Sequence, residues 1–191
     1  MSKSIADGAK LTPETFADFI ERLKYHHQGE GVSRHHTADP IFMVQKQSTI
    51  YGLADEYCEG KVLHYEEYDW HSPQEYWDDA DEEDREKLNS MAQGAWECDF
   101  LECEEDEQWL VLADLDDHTV CGYRKEWQHV NAHLTREAAD AFIRRKQHDY
   151  PPLRVYVESM CYGWEYQEVI AALCDGRLVL ADNSIRKEAA L

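Results

Sequence analysis

Basic residues are nearly missing from one third of this chain. Between Asp55 and Asp117 there are three, Lys61, Arg85 and Lys87, against 24 Asp and Glu, a net of −21 over 63 residues. The rest of the 191 residues hold 16 acids and 16 bases, which cancel. Ordinary soluble surfaces intersperse the two signs. A block this one-sided sets up a strong negative field, and its self-repulsion opposes folding. Nucleic acid and anionic membranes should both be repelled by it, whereas a protein that normally holds nucleic acid suits it.

Other absences narrow the reading. No apolar run approaches the roughly 20 residues that span a bilayer. Met1 to Asp7 lack the apolar stretch of a signal peptide, so a cytoplasmic location is expected. Six cysteines, at 58, 98, 103, 121, 161 and 174, form no CxxC and are expected as free, mostly buried thiols. The patterns GxSxG, GxGxxG, the phosphate-binding P-loop and the deaminase H-x-E…P-C-x-x-C are all missing. The carboxylates at Asp78, Asp79 and Asp81 lack the glycine-bearing loop of an EF-hand, which leaves loose cation binding.

What is present argues against disorder. The acidic block carries Tyr65, Tyr68, Trp70, Tyr76, Trp77, Leu88, Met91, Trp96, Phe100, Leu101, Trp109, Leu110 and Leu112. A solvating acidic tail has few such residues. The expectation is a folded acidic surface over an aromatic-rich core.

Local signals place the elements. Residues 1–11 read as a loose start. Thr12-Pro13-Glu14 opens a helix, with a hydroxyl cap, proline at the first position and an acid at the positive end of the dipole. Phe16, Phe19, Ile20 and Leu23 give it one apolar face, with an end near Gly29 and a loop over 29–39. Ile41–Val44 and Thr49–Tyr51 read as two strands with a polar connection, and 61–65 as a third. Ser72-Pro73-Gln74-Glu75 is a capping-box signature for a short helix to about Asp79. Helices follow over 82–101, with Leu88, Met91 and Ala95 on one face, and over 105–115. Thr119–Trp127 and His129–Leu134 read as strands, and Thr135 caps a helix burying Ala138, Ala139, Phe142 and Ile143. Leu153–Val157 is a strand after Pro151-Pro152. Tyr166, Val169, Ile170 and Leu173 mark a helix ending at Gly176, and Leu178–Leu180 a closing strand. Residues 183–191 read as frayed. The fold class expected is α+β, a mainly antiparallel sheet with flanking helices. The whole chain, 1–191, reads as a single domain with an acidic helical insertion at 66–117 and a ββαβαβ module at 118–182.

Two histidine groups invite a metal reading. In His118-x2-Cys121-x7-His129-x3-His133, a strand over 129–133 holds the last two about 13 Å apart, too far for one zinc. The pairs His26-His27 and His35-His36 flank a loop and have a plainer reading as helix-end charge for the first and solvent exposure for the second. No metal, cofactor or catalytic residue is assigned.

The stretch His133-Leu134-Thr135-Arg136-Glu137-Ala138-Ala139, Phe142-Ile143, His148-Asp149-Tyr150, Leu153-Arg154-Val155-Tyr156-Val157-Glu158-Ser159 and Glu165 resembles a module of uncharacterised bacteriophage and prophage proteins. The resemblance covers residues 133–176 and implies a mobile-element setting in a bacterial host cell, not an activity. Within it, His148 suits a helix C-terminus, Arg154 an acidic partner and Tyr156 a neighbouring strand.

Charge and setting together point to a non-enzymatic, anti-defence inhibitor. B-DNA carries one phosphate per about 1.7 Å of axis, so −21 matches about 36 Å of duplex. The expected partner is a host nucleic-acid-binding protein or complex, a restriction enzyme or a CRISPR effector, which holds its nucleic acid in a basic channel. An anti-CRISPR or DNA-mimic role would use Asp78, Asp79, Asp81, Glu82, Glu83, Asp84, Glu104, Glu105, Asp106 and Glu107, with Trp77 as an aromatic anchor. The alternatives are a metal-dependent enzyme built on His and Cys residues and an accessory phage protein without inhibitory role.

Overall fold

A computed structural model of the protein describes residues 4–181. Its elements are α1 (Pro13–His27), α2 (Gly31–His35), β1 (Pro40–Leu53), β2 (Gly60–Tyr65), β3 (Tyr68–Trp70), α3 (Pro73–Asp79), α4 (Glu82–Trp96), α5 (Glu105–Ala113), β4 (Thr119–His133), α6 (Arg136–Lys146), β5 (Leu153–Ser159) and α7 (Trp164–Cys174). The fold is α+β, with strand order β3-β2-β4-β1-β5 and antiparallel β1–β5, β2–β3 and β2–β4 ladders. The chain divides into two compact units. One is Met1–Gln47 with Trp127–Leu191, the other Ser48–Glu126. The expected insertion at 66–117 lies inside the second unit, which also takes 48–65 and 118–126. The expectation for 183–191 falls outside the described residues.

In the first unit, α1 starts where Thr12 and Thr15 form a reciprocal capping box behind Pro13. Ahead of it the start is less loose than expected, since Ile5–Asp7 forms a 3-10 turn capped by the Ser4 hydroxyl. Leu23 of α1 packs with Ile170 and Cys174 of α7, flanked by Phe19, Tyr166 and Leu173. Val169, expected inside, is half exposed. A second cluster joins Phe42 and Val44 to Ala139, with Phe142, Ile143, Val155 and Val157 against it. The loop expected over 29–39 contains α2, which ends where His36 adopts a left-handed backbone.

Three strand expectations need correction. Ile41–Val44 and Thr49–Tyr51 belong to one strand, β1. The polar link does not turn, because buried Gln45 accepts a hydrogen bond from Arg154 Nε at 2.9 Å and holds register with it. Arg154 therefore meets an amide and the Trp127 ring, at 4.1 Å, rather than an acid. Thr119–Trp127 and His129–Leu134 are likewise one strand, β4, since nothing between them has turn chemistry. Leu178–Leu180 is not a strand, so the module expected at 118–182 runs β-α-β-α.

The second unit is built on a buried cluster of Leu63, Tyr76, Leu88, Ala92, Phe100, Trp109 and Leu112, among others. On α4 Leu88 and Ala92 are buried, while Ala95 is exposed. This helix stops at Trp96 rather than near Leu101 because Glu97 takes a left-handed φ of 61°. The reversal carries Phe100 into the core, where its ring stacks on Trp77 at 5.6 Å. Gly122 on β4 has no room for a Cβ, which would lie 2.5 Å from the Leu53 carbonyl oxygen and 2.8 Å from Cys58 Cβ.

The same reversal joins Cys98 to Cys103 in a disulfide, which corrects the expectation of six free thiols. Their Cα atoms stand 5.8 Å apart, within reach of a disulfide, and no CxxC spacing announces it. Cys58, Cys121, Cys161 and Cys174 are free. Thiol titration in denaturant without reductant should therefore count four thiols, rising to six after reduction. Six before reduction would contradict the bond.

Candidate functional site

The acids singled out in the sequence all lie in the second unit, and the helices explain their clustering. Asp81 is the N-cap of α4 and accepts from the Asp84 backbone N–H at 2.9 Å, with Glu82, Glu83 and Asp84 in the first turn. Glu104 caps α5 reciprocally with Glu107, whose Oε2 accepts from the Glu104 N–H at 2.9 Å, and Glu105 and Asp106 follow. Each group thus faces the unsatisfied N–H groups and positive dipole end of a helix, worth about 0.3–1 kcal/mol per charge at the surface. Asp78 and Asp79 close α3. Asp78, Asp79, Asp81, Glu82, Glu83, Asp84, Glu104, Glu105 and Asp106 are exposed, and Glu107 is half-buried.

Little positive charge is available to answer them. Lys61 reaches Asp55 at 3.1 Å and Asp106 at 3.7 Å. Arg85 donates to the Trp77 and Asp78 carbonyls and covers the Trp77 ring. Lys87 is the exposed base of the block. Trp77 itself is half-buried between Phe100 and Arg85, so the structure places it in the wall of the core.

Beside these acids lies a cleft of about 500 Å³. Tyr65, Tyr68, Trp70 and Tyr76 supply its rings, Asp79, Asp81 and Asp84 its carboxylates, and His118 and Ala80 complete the lining, which includes no Lys or Arg. The rings are fixed by one another. Tyr65 stacks on His118 at 4.3 Å, Trp70 meets Tyr76 edge-on at 4.9 Å, and Tyr68 lies against Trp70 at 5.9 Å. Trp70 Nε1 donates to Asp79 Oδ2 at 2.9 Å. His118 Nδ1 donates to the Asp116 carbonyl at 2.8 Å, so in the neutral ring Nε2 accepts from the Tyr76 hydroxyl at 3.1 Å. Burial, then the nearby Asp84, Tyr65 and Asp81, pushes the Tyr76 phenol up to about 12. It stays a neutral donor at any physiological pH. Aromatic crowding at 65–77 was legible in the sequence. The arrival of His118 from beyond the helices carried no local signal.

The histidine groups resolve into hydrogen-bonded pairs. In the first unit His26 is buried, its Nε2 donating to Glu137 at 3.0 Å and its Nδ1 at 2.9 Å from His35 Nε2. Burial disfavours the Glu137 charge, but the His26 hydrogen bond, the Glu137 backbone N–H and the charges of His26 and Arg22 together outweigh it and hold the carboxyl low. His27 Nδ1 donates to the Ala38 carbonyl, and burial lowers its pKa. Burial and the His26 charge lower that of His35. The pair His26-His27 thus lies at the helix end but is buried, and of the second pair, expected in solvent, His36 is exposed while His35 is half-buried. His129 pairs with Glu158, His133 with Asn131 and His148 with Asp149. Among the described residues, Cys98, Cys103 and Glu107 place their ligand atoms within 4.8 Å of one another. Joined as a disulfide, the two sulfurs are not thiolate ligands. Reduced, the group would still be one donor short of a structural zinc site.

Comparison of the chain with protein-family models, curated proteins and solved structures gave no match.

Because its proton is held more tightly in the folded state, Tyr76 contributes stability that is complete below pH 10 and is lost as pH rises toward 12. Tyr76→Phe should remove one late-titrating phenolate from the ultraviolet titration and make the alkaline fall in Tm shallower. An unchanged late titration would place the phenol in an ordinary environment.

Proposed function

We propose that the protein is a non-enzymatic inhibitor whose acidic unit takes the place of nucleic acid on the basic surface of a nucleic-acid-handling protein. The observation that carries this reading is the exposure of nine carboxylates at the ends of α3, α4 and α5 with almost no base among them. Helix dipoles offset only part of the repulsion, since a helix N-terminus carries about half a positive elementary charge. Four acids in a row at α4 and four at α5 far exceed that charge. The excess charge is presented to solvent on rigid elements, which suits long-range attraction to a basic channel. The phage-module resemblance makes host defence complexes, restriction enzymes or CRISPR effectors, the class of target, met in the bacterial cytoplasm. No helix among the described residues is long and apolar enough to cross a membrane.

The test is capture from bacterial lysate followed by competition. The bound protein should be a basic nucleic-acid binder, and its own DNA or RNA should displace the inhibitor. Binding should weaken as salt screens charge beyond about 8 Å at physiological ionic strength. A variant reversing Asp78, Glu82, Glu83 and Glu105 to lysine, which spares the Asp81 and Glu104 caps, should stay folded and lose at least about tenfold in affinity. A folded variant that binds as well as the parent, or binding that nucleic acid does not displace, would sink the reading.

A further inference from the structure

The cleft between β3, α3 and the start of α4 is more specialised than the acidic face around it. Its walls are rings rather than aliphatic side chains, and its charged groups are three carboxylates of one sign. A ring face attracts a cation through its quadrupole, and a carboxylate attracts it by charge. An anion is repelled by both, and an apolar group would bury three carboxylates unpaired. At about 500 Å³ the cleft falls in the range of small-ligand pockets.

The arrangement also selects among cations. Trp70 and Tyr68 lie nearly parallel, at 20°, and the Trp70 indole edge fixes the Asp79 carboxylate beside them. A flat ring surface with adjacent carboxylates matches a planar guanidinium, which stacks with its face and donates with its edge. An ammonium is a compact, strongly hydrated point charge and uses the rings less well. The carboxylates are held in place without being neutralised, Asp79 by the Trp70 N–H and Asp81 by the Asp84 backbone N–H.

We propose that this cleft binds an arginine side chain of the partner, and so serves as the anchor point of the acidic face. The proposal rests on the inhibitor reading for the identity of the partner but not for the chemistry of the cleft. The arginine enters guanidinium first, lies over the Tyr68 and Trp70 rings and pairs with Asp79, Asp81 and Asp84. Long-range attraction by the surrounding acids then brings a basic surface near, and the cleft fixes its register.

The experiment titrates the full chain with methylguanidinium, with tetramethylammonium and with sodium as their common chloride salts, following the Trp70 indole N–H by NMR. Methylguanidinium should give a saturating shift at Trp70. Tetramethylammonium should bind more weakly, and sodium should give only the small, unsaturated drift of screening. Asp79→Asn, Asp81→Asn and Asp84→Asn together keep the side-chain shapes and the α4 cap, because asparagine caps as well as aspartate. They should weaken methylguanidinium at least about tenfold, the size expected when charge-assisted hydrogen bonds are lost. Tyr68→Ala, at an exposed position, should also weaken it, whereas Glu82→Gln with Glu83→Gln, outside the lining, should not. Equal effects from sodium, or equal loss in the Glu82/Glu83 variant, would reduce the cleft to diffuse charge and overturn the proposal. Tighter binding of tetramethylammonium would overturn the arginine assignment. The four-position lysine variant used against the partner leaves the cleft lining intact. A chain that binds methylguanidinium in the cleft but captures no basic nucleic-acid binder would therefore fail the inhibitor reading alone.

Discussion

The second unit is held by a balance between carboxylate repulsion and the free N–H groups at helix starts. Asp81 with Glu82, Glu83 and Asp84 sits on the first turn of α4, and Glu104 with Glu105, Asp106 and Glu107 on that of α5. Glu75 does the same at α3, where its carboxylate also accepts from the His71 N–H. These positions are where a helix tolerates negative charge best. The helices are pinned in turn by Leu88, Phe100, Trp109 and Leu112, all buried beneath them. Apolar burial fixes the helices, and the fixed helices then make an otherwise self-repelling surface tenable.

That dependence explains how one unit presents both an acidic face and an aromatic cleft. Residues 65–84 supply the cleft rings and carboxylates, and His118 closes it through Tyr65 and Tyr76. Tyr76 belongs to both, since its ring is part of the buried cluster while its hydroxyl faces His118. The packing that stabilises the unit therefore also orders the cleft.

Local chemistry was legible in the sequence where a few adjacent residues decide the outcome. Thr12-Pro13 and Ser72-Pro73 mark helix starts because capping needs only the next three residues. Signals that depend on distant partners were not legible. Gln45 continues a strand because Arg154 satisfies its amide, and His26 is buried because Glu137 and His35 satisfy its ring. The reversal at Glu97, which ends α4 and brings Cys98 to Cys103, has no glycine to announce it. At the candidate site, the acids were visible as composition and their exposure followed. Trp77, an anchor candidate from its charged surroundings, is half-buried against Phe100, and the rings that line the cleft are those of Tyr68 and its neighbours.

The central claim is that the acidic face exists for a partner and stands at some cost to the isolated fold. Charge placed for stability alone would be missed on removal. Charge placed for binding would not, because stabilising changes are commonly available where function has set the residue. Thermal unfolding of the Glu82→Gln, Glu83→Gln, Glu105→Gln variant at low ionic strength separates the two, since these side chains cap neither helix. A Tm above that of the parent, with the difference shrinking as salt is added, is the predicted result. A lower Tm would mean that helix dipoles outweigh repulsion and that the acids are there for the fold, contradicting the account.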